Sequence, residues 1–93
     1  MDLSVRDNAE LQRFEIFVDG EVGGFANYRR RDGAVAVVHS EVDPSMRGRG
    51  LGGELARQTL DTLRERGDKV VPSCGFFAQY VADHPEYEDI LAG

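Results

Sequence analysis

The chain has 93 residues, a formal net charge of −6 at pH 7 and 41% hydrophobic residues. This length predicts a single domain over residues 1–93, and the apolar content predicts a packed core rather than disorder. The acidic balance argues against nucleic-acid binding, which usually needs a basic surface, and weakly favours a cationic substrate such as an amine. No stretch approaches the ~18 apolar residues of a membrane span, so we expect no membrane association.

The cysteine content and the N-terminal segment bear on the compartment. Cys74 is the one cysteine, which excludes an internal disulfide. A lone thiol suits a reducing environment, so a cytoplasmic location is expected. The N-terminal segment has neither a basic region nor an apolar run, and it therefore gives no indication of a signal peptide. No metal site is predicted.

The first third of the chain predicts antiparallel strands. Phe14, Ile16 and Val18 alternate with Glu15 and Phe17, and Asp19-Gly20 then supplies a hairpin turn. A second strand is expected over about residues 21–30, where the Gly23-Gly24 pair indicates a bulge or a close approach of two backbones. The sequence thus predicts a hairpin with an irregularity in its second strand.

A third strand and a change of period follow. Residues 31–33 read as the next turn, and residues 34–42 are almost wholly apolar as far as His39, as expected of a strand covered on both faces. After a glycine cluster, a helix is predicted to about Arg66. Its apolar stripe consists of Leu51, Leu55 and Leu63, flanked by Ala56 and Leu60.

The last third predicts a short strand and a helix. Gly67 is a natural helix stop, residues 69–74 read as a strand, and a helix is expected over about residues 76–83, ended by His84-Pro85. A strand, a helix and a strand in one sheet imply a parallel crossover. The predicted class is therefore α/β (α+β): a mixed, mostly antiparallel sheet with a parallel β-α-β crossover and a C-terminal helix.

The most informative segment is Arg47-Gly48-Arg49-Gly50-Leu51-Gly52-Gly53, which lies where a strand passes into a helix. Successive glycines let backbone N–H groups converge on one anion. The helix that begins there adds unpaired N–H groups and the positive end of its dipole, and Arg47 and Arg49 add charge. The segment predicts a phosphate or pyrophosphate site; the alternative is a glycine-rich turn with two solvated arginines.

Two other phosphate-binding motifs fit this segment poorly. Gly48-x-Gly50-x-x-Gly53 formally matches the dinucleotide fingerprint, but the next strand ends at Ser73-Cys74 instead of at an acidic residue. The chain is also too short for a doubly wound sheet. A P-loop is excluded because no Gly-Lys-Ser/Thr follows.

The remaining interpretation rests on a resemblance. Arg47-x-x-Gly50-x-Gly52, between an apolar strand and an amphipathic helix, resembles the acetyl-CoA signature of the GNAT superfamily of N-acetyltransferases. Further segments make the chain similar to the small YjdJ-type N-acetyltransferase-like proteins, and the match runs from about Phe14 to Leu91. These segments are His39-Ser40-Glu41-Val42, Pro44, Arg47-Gly48-Arg49-Gly50, Val71-Pro72-x-Cys74-x-Phe76 and His84-Pro85-Glu86-Tyr87.

The resemblance implies a minimal GNAT-like fold and a cosubstrate, acetyl-CoA or CoA. It implies a sheet that splays between the strand ending at Val42 and the strand ending at Cys74, with the pantetheine arm in the cleft. Ordinary members carry two helices near the N-terminus that help to form the wall of the acceptor site, and this chain has no room for them. The resemblance therefore does not identify the class of acceptor substrate. The implied cofactor-binding residues are Val42, Arg47, Gly48, Arg49, Gly50, Leu51, Gly52 and Gly53.

Amide formation from a thioester needs a base for the amine and an acid for the departing thiolate. His39 and Glu41 lie two apart on one strand, hence on one face, and either could be the base; the alternatives are a core histidine and a solvated or Arg47-paired carboxylate. Tyr80 occupies a place where the resemblance implies an acid near the CoA sulfur, although core packing beside Phe76 explains it equally well.

Cys74 is a candidate nucleophile. It stands at the mouth of the implied cleft, just before a helix whose N-terminus favours the thiolate, so an acyl-cysteine route is open. The alternative is a small buried apolar residue.

The sequence therefore predicts an acetyl-CoA-dependent N-acetyltransferase with an unidentified amine acceptor. One alternative is a CoA-binding module without substantial catalysis, such as a sensor or an interaction subunit. A second is a nucleotide-binding fragment of Rossmann type.

Overall fold

The computed structural model describes residues 2–46 and 48–92, so Arg47 of the glycine loop lies outside the described residues. Five strands form one sheet in the order β1-β2-β3-β4-β5. They are β1 (Leu3–Asn8), β2 (Arg13–Val18), β3 (Glu21–Arg31), β4 (Ala34–Val42) and β5 (Lys69–Pro72). The helices are α1 (Leu51–Glu65) and α2 (Gly75–Asp83), with 3-10 helices over Pro44–Met46 and Pro85–Ile90.

Four antiparallel strands precede α1, one more than the sequence predicted. β1 pairs with β2 from Leu3↔Val18 to Asn8↔Arg13. β1 adds half-buried side chains to the edge of the core, including Leu3 and Val5. The apolar residues of this segment are too few to predict a strand from the sequence. Because residues 9–12 join β1 directly to β2, no α-helix precedes α1 in the described part of the chain.

Both predicted hairpin turns are confirmed by their backbone angles. Asp19 and Gly20 have φ of 49° and 90°, and Asp32 and Gly33 have φ of 46° and 80°. Two successive positive φ values are the signature of the tight turn whose twist matches that of antiparallel strands. The turns therefore fix the register of β2, β3 and β4.

The Gly23-Gly24 pair in β3 coincides with both a bulge and a close approach of two backbones, the two alternatives that the sequence predicted. The register of β2 and β3 shifts between Ile16 and Phe17, which is a bulge. A Cβ on Gly24 would lie 2.7 Å from the carbonyl oxygen of Glu41. The pair thus lets β3 bend and lets β4 approach closely.

The predicted apolar stripe of α1 packs on one face of the sheet and is confirmed. Its buried residues are Leu51, Leu55, Ala56, Thr59, Leu60 and Leu63. Gly67, with φ of 77°, follows the end of the helix as expected.

The prediction that β4 is covered on both faces is wrong, because Val38 is 39% exposed. α1 covers Val35 and Val37, whereas the opposite face, here called the open face, is not covered by a helix within residues 2–46 and 48–92.

β4 and β5 are parallel, as predicted, but their pairing is short. It runs from Ala34↔Lys69 to Val37↔Pro72, and the Cys74 N–H then donates to the Val37 carbonyl oxygen at 2.8 Å. Val38 is the extra residue of a bulge opposite β3, and beyond it the two strands separate. β5 ends two residues earlier than predicted because residues 73–74 turn into α2.

The C-terminal segment returns to α1 and to β5. His84-Pro85 ends α2 as predicted, and a 3-10 helix follows. The Tyr87 hydroxyl donates to Asp61 Oδ1 at 2.8 Å, and Leu91 forms a single parallel bridge with Val70. The His84-Pro85-Glu86-Tyr87 segment therefore secures the tail against α1. Within the described ranges, none of the helices has the length and apolarity to cross a membrane.

Candidate functional site

The glycine loop presents uncapped amides at the start of α1. Gly48 and Gly50 have φ of 85° and 74°, a conformation that favours glycine. Gly50 is the N-cap residue and makes no side-chain cap bond, and the first helical bond runs from the Glu54 N–H to the Gly50 carbonyl oxygen at 3.1 Å. The N–H groups of residues 51–53 therefore have no carbonyl partner within the helix, which is the arrangement that binds an anion.

The loop has room for such a ligand. A Cβ added at Gly48, Gly50 or Gly53 would meet no atom within 4 Å. Arg49 is exposed between the first two of these glycines. The cavity at these glycines, here called the loop cavity, measures about 260 Å³. It is lined by Val42, Met46, Gly48, Gly50, Leu51, Gly52, Gly53 and Phe76.

A second cavity continues from the first along the gap where β4 leaves β5. This cleft measures about 200 Å³ and shares Val42, Gly52 and Phe76 with the loop cavity. Its remaining walls are Ser40, Glu41 and Leu55. The two cavities therefore lie next to each other, between the glycine loop and the part of β4 that extends beyond β5.

Cys74 lies beside this cleft. Its Sγ is 3.1 Å from Ser40 Oγ, across the gap between β4 and α2. Burial raises the pKa of the Cys74 thiol, but hydrogen bonds from the Ser40 hydroxyl and from the amides of Phe77, Phe76 and Ser40 outweigh it and lower the pKa below its ordinary value. The structure thus gives Cys74 the donors that stabilise a thiolate.

His39 and Glu41 lie on one face of β4, as predicted, and form a pair with Nε2 and Oε2 3.1 Å apart. That face is the open face, because their neighbours Ser40 and Val42 pair with Ala26 and Gly24, which lie opposite the core residues of β2. Both side chains are well exposed, at 57% and 61%. Glu41 lines the cleft, and His39 contacts Glu41 from outside it.

Tyr80 lies apart from these groups. Its ring stacks on that of His84 with centroids 3.9 Å apart, and His84 Nδ1 is 2.7 Å from the Tyr80 carbonyl oxygen. Burial raises the pKa of the Tyr80 hydroxyl, so the group stays protonated at neutral pH. Tyr80 lines neither cavity, although Phe76, one helical turn before it, lines both.

A third cavity, here called the open-face hollow, adjoins the cleft at Glu41 and Val42. Its volume is about 310 Å³. Hydrogen bonds from the Ser45 backbone N–H and hydroxyl to Asp43 lower the pKa of that carboxyl. The lining residues are Arg13, Val22, Gly23, Gly24, Phe25, Glu41, Val42, Asp43 and Pro44.

Ser40, Asp43 and Phe76 line these cavities and were not predicted as site residues. The bulge at Val38 decides which side chains of β4 face the cleft, and no residue type in that stretch reveals it. Phe76 gave a usable signal, because an aromatic residue two positions after Cys74 belongs to the motif that carried the resemblance. Its side chain is 46% exposed although it is large and apolar.

Comparison with known proteins agrees with this geometry. A family model described as GCN5-related N-acetyl-transferase matches residues 13–90, and no curated protein matches. Five solved chains match. One is a GCN5-like protein from Staphylococcus aureus, whose solution structure was determined by NMR; it is 22% identical, and the alignment covers 98% of this chain and 89% of that one with a TM-score of 0.72. This structure supports a likeness of fold, and since the family model spans most of the sequence, the chain belongs to the GCN5-related N-acetyltransferase family.

Proposed function

We propose that this protein transfers an acetyl group from acetyl-CoA to an amine. The observation that carries the proposal is the pair of adjoining cavities between the uncapped start of α1 and the end of β4, which share Val42, Gly52 and Phe76. An elongated ligand with an anionic end fits such a pair, and a CoA thioester is the ligand expected of the family. The remaining steps follow from where each residue lies.

The pyrophosphate is assigned to the loop cavity. Its oxygens would accept hydrogen bonds from the amides of Leu51, Gly52 and Gly53, and Gly48 and Gly50 leave space for close approach. Arg49 would add a positive charge, as would Arg47. The pantetheine arm then follows the cleft past Phe76 towards Ser40, where the thioester would lie.

Glu41 is the proposed base because it lines both the cleft and the open-face hollow. An ammonium acceptor gives one proton to Glu41, and His39, 3.1 Å away, holds that carboxylate in place. The neutral nitrogen attacks the thioester carbonyl carbon, so that a C–N bond forms and the C–S bond breaks. The sulfur leaves as a thiolate and is assigned a proton from Tyr80 that is relayed by solvent, because Tyr80 does not line the cleft, while the nitrogen loses its second proton to solvent.

Cys74 has two possible roles in this scheme. In direct transfer, the amine attacks the thioester, and Cys74 helps to shape the cleft. In the other route, the Cys74 thiolate takes the acetyl group first and passes it to the amine. We favour direct transfer, because the Ser40 contact holds Sγ at 3.1 Å within the protein and Glu41 already lies between the cleft and the hollow.

Turnover separates this proposal from a CoA-binding module without catalysis. The absence of helices between β1 and β2 is what favours the module, because the open face then lacks a wall that ordinary family members use. The test is release of free CoA thiol from acetyl-CoA in the presence of a panel of amines. Acetyl-CoA binding with no turnover on any amine would support the module; amine-dependent thiol release that Glu41→Gln suppresses would support the transferase.

Several finer assignments accompany this proposal. The YjdJ-type subgroup rests on the sequence motifs, and the single-domain organisation rests on chain length. The cytoplasmic location rests on the lone thiol and on the cosubstrate. Binding of nucleic acid is not proposed, since the net charge is −6.

A further inference from the structure

The open-face hollow has a chemistry of its own. Two acidic residues line it: Glu41 lies near the end of β4, and Asp43 directly follows the last residue of that strand. The Asp43 N–H donates to the Gly23 carbonyl oxygen at 2.8 Å, which keeps Asp43 in register with the strand. The ring of Phe25 forms an apolar wall beside them. These walls suit a cation with a hydrocarbon body.

Arg13 also lines the hollow, but its positive charge does not remove the hollow's preference for a cationic ligand. Its guanidinium is 2.7 Å from Glu15 Oε2 and lies over the Phe25 ring at 4.6 Å from the centroid. Glu15 is buried, so its charge and that of Arg13 largely offset each other. Glu41 and Asp43 then leave the hollow with an excess of negative charge.

The open-face hollow adjoins the cleft in which the thioester is proposed to lie. It shares Glu41 and Val42 with the cleft, so a ligand in the hollow meets the cleft at the proposed base. Asp43 stands farther from that junction, and the Ser45 N–H and hydroxyl hold its carboxylate at 2.9 and 2.8 Å. Glu41 thus belongs to both cavities, whereas Asp43 lines the hollow and not the cleft.

We propose that the open-face hollow is the acceptor site and that it selects amines carrying a second positive charge. One amino group reaches Glu41 and is acetylated, and the second cationic group pairs with Asp43 while the carbon chain lies against Phe25. This inference rests on the proposed acetyl transfer. The second charge takes no part in bond making, so the bonds formed and broken are those of the proposed acetyl transfer.

The kinetic test compares diaminobutane with butylamine, which has the same carbon chain and one amino group. The expected result is a higher kcat/KM for the diamine, and a ratio of the two values that falls about fivefold in Asp43→Asn, the size of an exposed ion pair. Asparagine keeps an oxygen that accepts from Ser45, so the turn is retained. The ratio should also fall as salt is raised, because screening weakens the pair.

Glu65→Gln is the matched control, since it removes one negative charge at the far end of α1. It should leave the ratio unchanged. An equal ratio in wild type and Asp43→Asn, or a wild-type preference for butylamine, would overturn the inference.

An NMR titration tests the hollow without catalysis. With acetyl-CoA present, diaminobutane should shift the amide signals of residues 22–25 and 41–43, and Asp43→Asn should weaken this response. Absence of these shifts would overturn the acceptor site even if some amine is acetylated. Conversely, shifts at these residues without turnover of any amine would leave the hollow as a diamine site and would contradict the proposed transfer.

Discussion

The ring of Phe76 lies against the first turn of α1 at Gly52, where an added Cβ would stand 3.0 Å from Cζ. Both residues line the loop cavity and the cleft, so their contact sets the width of the passage between the two. Because Gly52 has no side chain, the aromatic ring can rest on helix backbone and still leave a path. Phe76 is 46% exposed, although its side chain is large and apolar.

Gly52→Ala tests this contact. The methyl group should push the Phe76 ring into the passage and weaken acetyl-CoA binding about fivefold, while alanine in the helix should stabilise the fold by roughly 0.5–1 kcal/mol. Isothermal titration measures the affinity, and thermal denaturation measures the stability. In a Phe76→Ala background, the same substitution should have little effect on affinity. A similar loss of affinity in both backgrounds would show that Gly52 acts without Phe76.

The contact between Ser40 and Cys74 predicts a pH dependence. Because hydrogen bonds lower the pKa of the Cys74 thiol, the thiolate should form at a lower pH than in a free cysteine, and Ser40→Ala should move its midpoint up. Ultraviolet absorbance of the thiolate, read against Cys74→Ala, measures this midpoint. Ser73→Ala is the matched control, since Ser73 is the exposed neighbour of Cys74. A midpoint that is the same in wild type and Ser40→Ala would contradict the assignment of the hydroxyl as a donor.

The choice between the two roles of Cys74 can be made by mass spectrometry of the intact protein. Direct transfer predicts that acetyl-CoA alone leaves no acetyl group on the chain at the rate of turnover, and that Cys74→Ala slows turnover only modestly. An acetyl adduct that forms as fast as turnover, is lost in Cys74→Ala and is discharged by an amine would replace direct transfer with the acyl-cysteine route.

Tyr80 is the proposed acid, and phenylalanine removes its proton. Tyr80→Phe should lower kcat about 100-fold with acetyl-CoA affinity retained, which is the lower end of the range for a general acid. Tyr87→Phe is the matched control: it loses the bond to Asp61 and about 1 kcal/mol of stability, and it should keep its kcat. A Tyr80→Phe variant with wild-type kcat would assign the residue to packing against His84.

The sequence predicted the parts of the fold that depend on local residues. Paired positive-φ turns, the α1 stripe and Gly67 each follow from a local preference, and the structure confirms them. β1 was missed because its few half-buried apolar residues resemble an exposed loop. The open face of β4 was also mispredicted, since an apolar run does not reveal whether both sides of a strand are covered.

In the candidate site, too, the features that depend on adjacent residues could be predicted, and those that depend on distant residues could not. The glycine loop could be predicted because positive φ and uncapped amides depend on residues that are adjacent in sequence. The Ser40–Cys74 contact spans 34 residues and depends on the bulge at Val38 and on where β5 ends. The hollow beside Asp43 depends on how β3 and β4 bend together, which no single segment encodes.

Binding of acetyl-CoA at the glycine loop is the central claim, and Gly53 is the position at which to test it. Gly50 is less suitable, because its φ of 74° means that any side chain would strain the backbone. At Gly53 an added Cβ meets no atom within 4 Å, and an acidic side chain in the first turn favours the helix. Gly53→Glu should therefore fold, while its charge repels the pyrophosphate; Gly53→Gln has the same shape without the charge.

The direct measurement is titration of acetyl-CoA into wild type, Gly53→Gln and Gly53→Glu, with thermal unfolding of the same samples. We predict that wild type binds and that ligand at about 100 times its dissociation constant stabilises it by roughly 2.7 kcal/mol. Gly53→Gln should bind more weakly, and folded Gly53→Glu should show no binding. Absence of binding to wild type, or equal affinity in wild type and Gly53→Glu, would contradict the account.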